Sequence, residues 1–255
     1  MNDFSSCPRV TVILPVHDEE ECLPTVLDHV REVTRSLPDC EIIVSDDGST
    51  DASPTFVKEK AAIDSRIFLL RNPINCGQSA AMYLAFQRAT GEIIVTLDAD
   101  GQNDPRDILT VVAPLLPNAD GPAYDICCGY RASRKDTLSK RFASRFANAF
   151  RRLILNDHII DTGCSLKAFR ASFVKRLQYW NGLHRFLPML CEVQGARITQ
   201  CPVRHNPRLA GRSKYTNLGR LRTTWGDLFG VRWLRARSKD AVYVAACLQS
   251  MENRH

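Results

Sequence analysis

The segment TLDADGQNDP, residues 96–105, sets Asp98 and Asp100 one residue apart where a run of Ile and Val gives out. Two hard oxygen donors so spaced suit Mg2+ or Mn2+ shared with phosphate oxygens, because these ions keep positions open for substrate and water. Gln102 offers a third oxygen on the same turn. Read alone, such a segment is more often an Asx-rich strand exit than a ligand site. Other acids favour the ligand reading: His17, Asp18 and Glu19 follow VTVILPV, and Asp46 and Asp47 open the segment DDGSTD. The latter pair can accept from ribose hydroxyls or a base N–H, while Gly48 permits a tight exit and Ser49 a helix cap.

The elements that must position these residues are legible as runs of Val, Ile and Leu at 10–16, 41–47, 67–72 and 92–98. Such continuous apolar runs, separated by helical patterns, predict strands buried on both faces of a mostly parallel sheet, with helices on both sides. Asp51 or Ser53 starts one helix, and Asn103 or Asp104 before Pro105 starts another. Every acid named above then falls at the carboxyl edge of the sheet, where open α/β sheets bind ligands. Neither the dinucleotide glycine fingerprint nor a Walker phosphate loop is present.

The chain has 255 residues and a formal net charge of +6. Eight basic residues and one acid lie between Arg131 and Arg152, and ten basic residues and one acid between Arg204 and Lys239, so the remainder is net acidic. Two such cationic segments are expected to meet anions. No secretory signal opens the sequence, which predicts a cytoplasmic protein, and its ten cysteines are then expected to be reduced thiols. No apolar run reaches the ~20 residues needed to cross a bilayer. Leu218, Leu221, Trp225, Leu228 and Phe229 recur at helical spacing among Arg220, Arg222, Arg232, Arg235 and Arg237. This predicts a basic amphipathic helical tail over 216–255, following a catalytic domain over 1–215. The tail would either lie in anionic headgroups or pack on the domain or a membrane partner subunit.

VTVILPVHDEEE, IIVSDDGSTD, NCGQSAAMYLAFQRATGE and VTLDADGQNDP, in this order, resemble the family 2 inverting glycosyltransferases. DTGCSLKAFR, HRFLP and HNPRLAGRSKY resemble their dolichyl- and polyprenyl-phosphate branch. The resemblance implies a GT-A type α/β domain and places Pro15, His17 and Glu19 in the nucleotide pocket with Asp46 and Asp47. Asp98, Asp100 and Gln102 would hold the metal against the donor diphosphate. It further implies that Arg208, Ser213 and Lys214 close over the diphosphate, with Asp100, Lys214 and Arg208 serving catalysis. Arg131 would meet the acceptor phosphate, helped by Arg141 and Arg145 from the first cationic segment. Asp161 would touch a sugar hydroxyl or orient its loop. Tyrosine and asparagine are commoner at the positions of His17 and Asp18, and leucine at Gly101, where glycine is expected to loosen the turn.

The partners implied are a GDP- or UDP-sugar and a polyprenyl phosphate, with the protein peripheral on the cytoplasmic face of a membrane. A lipid phosphate is already anionic and attacks the anomeric carbon without a side-chain base. A hydroxyl acceptor is the second reading. It ordinarily needs a carboxylate base, for which Asp161 and a lone Glu192 are the only late candidates. A nucleic-acid module is a third class, opposed by the acidic pocket and the lack of any recognition motif.

Overall fold

A computed structural model describes residues 4, 7–117, 124–132, 151–207 and 217–238, with only the backbone of 217–224. Seven strands form one sheet: β1 Val10–Val16, β2 Cys40–Asp46, β3 Ile67–Arg71, β4 Ile93–Thr96, β5 Ile126–Arg131, β6 Lys167–Arg170 and β7 Ile198–Val203. Their order is β3-β2-β1-β4-β6-β5-β7. All neighbours pair in parallel except β6, which runs antiparallel to both β4 and β5. Val16 faces Asp46 in the register of β1 and β2, so their carboxyl ends are level. The four runs of the amino-terminal half become strands within one or two residues of the expected bounds.

Alternation along β1 explains the layers. Val10, Val12, Leu14 and Val16 pack on one face against α1 (Leu23–Val33), α2 (Ser53–Ile63) and α4 (Ile108–Val112). Ile13 turns to the other face with Ile43 and Ile94. There it meets α3 (Gln78–Arg88), α5 (Ala171–Lys175), α6 (Leu187–Val193) and α7 (Asn217–Arg237), through Phe86, Val174, Leu190, Leu228 and Val231. Burial on both faces is what continuous apolar strands require, since each side chain must leave water whichever way the pleat turns it.

At the edge of the sheet away from the strand exits, Glu41 is buried and fully engaged. Its Oε2 accepts from Thr11 Oγ1 at 2.7 Å and from both Thr90 N and Thr90 Oγ1 at 3.0 Å. Arg88 pairs with its other oxygen at 3.3 Å. The charge is thereby compensated and ties the starts of β1, β2 and β4 together. Among the described residues no disulfide forms; Cys127 and Cys201 meet as thiols, 3.4 Å apart.

Candidate active site

The first two strand exits are laced to each other. Asp18 stands at φ 48, and its N–H donates to Ser49 Oγ at 2.9 Å while its Oδ1 accepts Thr50 N–H at 2.7 Å. His17 Nε2 lies 3.4 Å from Asp18 Oδ2, and Glu19 N–H donates to Ser53 Oγ at 3.2 Å. Pro15, half-buried, precedes them opposite Ser45. Asp46 Oδ1 accepts Ser49 N–H at 3.0 Å, and Arg71 Nε pairs with Oδ2 at 3.0 Å.

Asp47 carries a task that spacing did not reveal. Its Oδ1 accepts from Asn72 Nδ2 and Cys76 N at 2.9 Å each, and its Oδ2 from Gly77 N at 2.7 Å. It therefore organises the loop ahead of α3. Gly48, at φ 69, lets that loop approach: a Cβ there would lie 2.5 Å from the carbonyl carbon of Ile74.

The third exit brings the expected metal donors together. Asp98 follows β4 closely; Gln78 Nε2 donates to its Oδ1 at 3.1 Å, and its own N–H donates to Ser165 Oγ at 3.0 Å. Burial, and then the neighbouring Asp100, push the Asp98 carboxyl up to about 6, against the opposing charge of Lys167. Lys167 is itself buried, facing Thr96 in the sheet register, with its ammonium on the carbonyls of Thr162 and Cys164. Asp100 Oδ1 accepts Gln102 N–H at 3.0 Å, closing the turn. Gly101 adopts φ 75, a conformation natural to glycine, so the residue suits this turn where loosening was expected.

Among the described residues no three His, Cys, Asp or Glu side chains gather as a metal cage. The donors on offer are the two carboxylates of Asp98 and Asp100, with Gln102 on the same turn. Their chemistry fits a hard divalent ion that completes its shell from ligand oxygens and water.

On the far side of the sheet Arg131, at the end of β5, forks onto Asp161: Nε to Oδ2 at 2.6 Å and Nη2 to Oδ1 at 2.9 Å. The DTG loop that carries Asp161 is held by buried Arg151, which pairs with Asp157 at 3.0 Å and donates to Thr162 Oγ1 at 2.7 Å. The expected phosphate ligand and sugar contact are thus partners of one another. Glu192 of α6 pairs with Arg235 of α7 at 3.3 Å.

The residues that open the late basic motif lie beside the turn after β4. Asn103 and His205 form an antiparallel bridge, and Asn206 N–H donates to Gln102 O at 2.8 Å. Arg204 anchors this approach on Asp104 and Asp107, at 3.4 and 3.6 Å. Arg208, Ser213 and Lys214, like Arg141 and Arg145, lie outside the described residues. Gln78, Ser79, His184 and Ser165 are site neighbours that single-residue reading missed. The motifs NCGQSAAM, DTGCSLKAFR and HRFLP did contain all four, and Ser79 Oγ lies 2.6 Å from His184 Nδ1.

The sheet is open and mostly parallel, its acids gather at the carboxyl edge, and its sequence has no glycine-rich phosphate turn. Residues 11–178 match the model of Glycosyl transferase family 2, and the chain belongs to that family. Undecaprenyl-phosphate 4-deoxy-4-formamido-L-arabinose transferases of Edwardsiella ictaluri (strain 93-146) and Salmonella choleraesuis (strain SC-B67) are 33% and 34% identical to it over 217 and 218 residues. The alignments cover 84% and 85% of this chain; the chain spans 65% of the length of each relative.

Solved structures share the fold. Glucosyl-3-phosphoglycerate synthase from Mycobacterium tuberculosis, in complex with Mn2+, UDP and glucosyl-3-phosphoglycerate, superposes with a TM-score of 0.64 at 20% identity, over 90% of this chain and 80% of that one. The mannosyltransferase PcManGT from Pyrobaculum calidifontis, with GDP-Man and Mn2+, gives 0.62 at 21%, over 100% and 77%. These likenesses establish the GT-A fold.

Proposed function

We propose that the chain is a metal-dependent inverting glycosyltransferase that moves a sugar from a nucleotide diphosphate to a polyprenyl phosphate. The observation that carries this reading is the placing of Asp98 and Asp100 at the end of β4, level with the acids that end β1 and β2. The names of the relatives support a lipid phosphate acceptor. A hydroxyl acceptor needs a carboxylate base, and both late acids are engaged with arginines, Asp161 with Arg131 and Glu192 with Arg235.

Asp98 and Asp100 would hold Mg2+ or Mn2+, which when bound acts as a Lewis acid on the diphosphate. The exits of β1 and β2 would seat the nucleoside, with Pro15, His17, Glu19 and Asp46 as its walls. The acceptor phosphate oxygen attacks the anomeric carbon from the side opposite the diphosphate. The bond to the leaving oxygen breaks, its electron pair goes to the diphosphate, and configuration inverts. Arg131 supplies positive charge for the acceptor phosphate, and Arg208 and Lys214 for the departing diphosphate.

A polyprenyl tail stays in the bilayer, so the site must come to the surface. Among the described residues no helix is long and apolar enough to cross a membrane. The expected headgroup-facing set is only partly right: Leu228 turns inward onto the domain with Val231, while Trp225, Phe229 and Trp233 are 43%, 56% and 63% exposed at four-residue spacing. We assign this outer stripe of α7 to peripheral contact with the cytoplasmic face of a membrane.

The test is a panel of UDP- and GDP-sugars, together with nucleotide-linked 4-deoxy-4-formamido-L-arabinose. Each is incubated with Mn2+ and undecaprenyl phosphate, then with a free saccharide acceptor, and the products are read by mass. A glycosylated lipid phosphate is expected. Product only from the hydroxyl acceptor would replace this reading with the second one.

A further inference from the structure

Three consecutive residues at the start of α3 touch three separate parts of the site. Gly77 N–H donates to Asp47 Oδ2 at 2.7 Å, Gln78 Nε2 to Asp98 Oδ1 at 3.1 Å, and Ser79 Oγ meets His184 Nδ1 at 2.6 Å while accepting Gly182 N–H at 2.9 Å. Resting on the metal reading of Asp98, we propose that Gln78 is a positioning residue that sets the Asp98 carboxylate for the divalent ion.

A positioning group must fix one torsion of the ligand. The terminal rotation of an aspartate is broad and nearly two-fold, so the backbone alone does not decide which oxygen faces a ligand. An N–H bound to one oxygen does decide it. Gln78 takes Oδ1, and the Asp98 main chain is gripped from the opposite side by Ser165, which also accepts from Asn103 Nδ2 at 2.8 Å. The carboxylate is thereby held from α3, and the backbone that carries it from the segment leading into β6.

The chemical type of the donor matters as much as its place. A primary amide donates a hydrogen bond without bringing a full positive charge, so it orients the carboxylate and leaves its charge for a metal. Arginine at the same place would form an ion pair competing with the cation, as Arg131 does on Asp161. The amide is in turn held in place through the backbone, because Asp47 pins Gly77, the residue immediately before it. One helix start thus joins the acid that shapes the β2 exit to the acid that receives the ion.

Removing an outer partner of a metal ligand typically lowers metal affinity about 10- to 100-fold. The experiment is a Mn2+ titration followed by electron paramagnetic resonance, in the presence of UDP and separately of GDP. It compares the wild-type chain with Gln78→Met, Gln78→Ala and Asp98→Asn. Methionine keeps the length of the half-buried side chain and removes the donor, whereas alanine removes both; thermal midpoints report folding independently. Both Gln78 variants should bind Mn2+ about tenfold or more weakly with unchanged midpoints, and Asp98→Asn should lose binding. Mn2+ affinity within about twofold of wild type in Gln78→Met, alongside loss in Asp98→Asn, would overturn the positioning role alone. Wild-type affinity in Asp98→Asn would overturn the metal reading beneath it.

Discussion

Arg131 and Asp161 are joined by a fork of two contacts, at 2.6 and 2.9 Å, that links the end of β5 to the DTG loop. The Asp161 carboxylate also accepts Gly163 N–H at 3.1 Å, so one acid shapes its own loop and orients the arginine. Bidentate geometry makes the pair directional in a way that a lysine would not reproduce. If the pair acts as a unit toward the acceptor phosphate, the two residues must be non-additive. Arg131→Ala and Asp161→Asn should each lower kcat/KM for undecaprenyl phosphate, and the double variant should be little worse than Arg131→Ala. Strictly additive losses in the double-mutant cycle would mean that the two serve separate purposes.

Asp100→Asn removes a carboxylate charge at nearly constant volume from the turn that follows β4. Turnover should fall at least ~100-fold, as when a principal electrostatic stabiliser of the leaving group is lost. The thermal midpoint should stay close to wild type, because asparagine retains an acceptor for the Gln102 N–H. Near-normal turnover with the same Mn2+ dependence would remove this residue from the metal site.

Glu41 offers a contrast, being an acid equally buried but at the opposite end of the strands. Glu41→Gln removes the charge and sets an amide N–H2 against the donors of either oxygen, those of Thr11 and Thr90 on one or Arg88 on the other, and the cost should be about 3 kcal/mol of stability, within the range for disrupting a buried charged network. Urea denaturation should show the loss as a lower midpoint with an unchanged slope. At temperatures where the variant is folded, its kcat should match wild type.

Asp104 supplies a pH-dependent test. The Arg106 guanidinium, hydrogen-bonded to it, holds its carboxyl down to about 2, with Arg204 adding to the effect. The folded value lies below the ordinary one of ~3.9, so the stabilisation is complete above about pH 4 and is lost as pH falls through about 2. The gap in denaturation midpoint between wild type and Asp104→Asn should therefore be widest at neutral pH and close between pH 4 and 2. A gap independent of pH would assign the loss to packing.

The first four strands and their acids were legible because period and strand ends are local properties. VTVILPV becomes β1 residue for residue, and Asp98 and Asp100 fall where the apolar run at 92–98 stops. What stayed hidden depends on contacts far apart in sequence. Nothing near Asp47 announces that its acceptors will be filled by Asn72, Cys76 and Gly77, and Arg131 and Asp161 are thirty residues apart. Strand β6, running against its neighbours, was equally hidden, since KAFR is too short to show a direction. The helical spacing of α7 was visible, but which of its apolar faces meets the domain depended on Leu228 and Val231 finding the core beside α6.

That division of faces gives the last prediction. Leu228 and Val231 are buried, while Trp225, Phe229 and Trp233 stand outward with Arg232 and Arg237 exposed on the same helix. Aromatic rings at headgroup depth and arginines above them suit an anionic surface, where each basic residue contributes about 1 kcal/mol within a Debye length of roughly 8 Å at physiological salt. Binding to vesicles of phosphatidylglycerol and phosphatidylcholine should therefore weaken as salt rises. Phe229→Ala with Trp233→Ala should lower vesicle co-sedimentation strongly and leave the thermal midpoint unchanged. Leu228→Ala should do the reverse, costing about 2–5 kcal/mol of stability as a core truncation while the folded fraction still binds. Should the protein ignore such vesicles at low salt, the stripe would belong to a membrane partner subunit. The transferase reading of Asp98 and Asp100 would be untouched, because it rests on the strand exits and not on the outer stripe of α7.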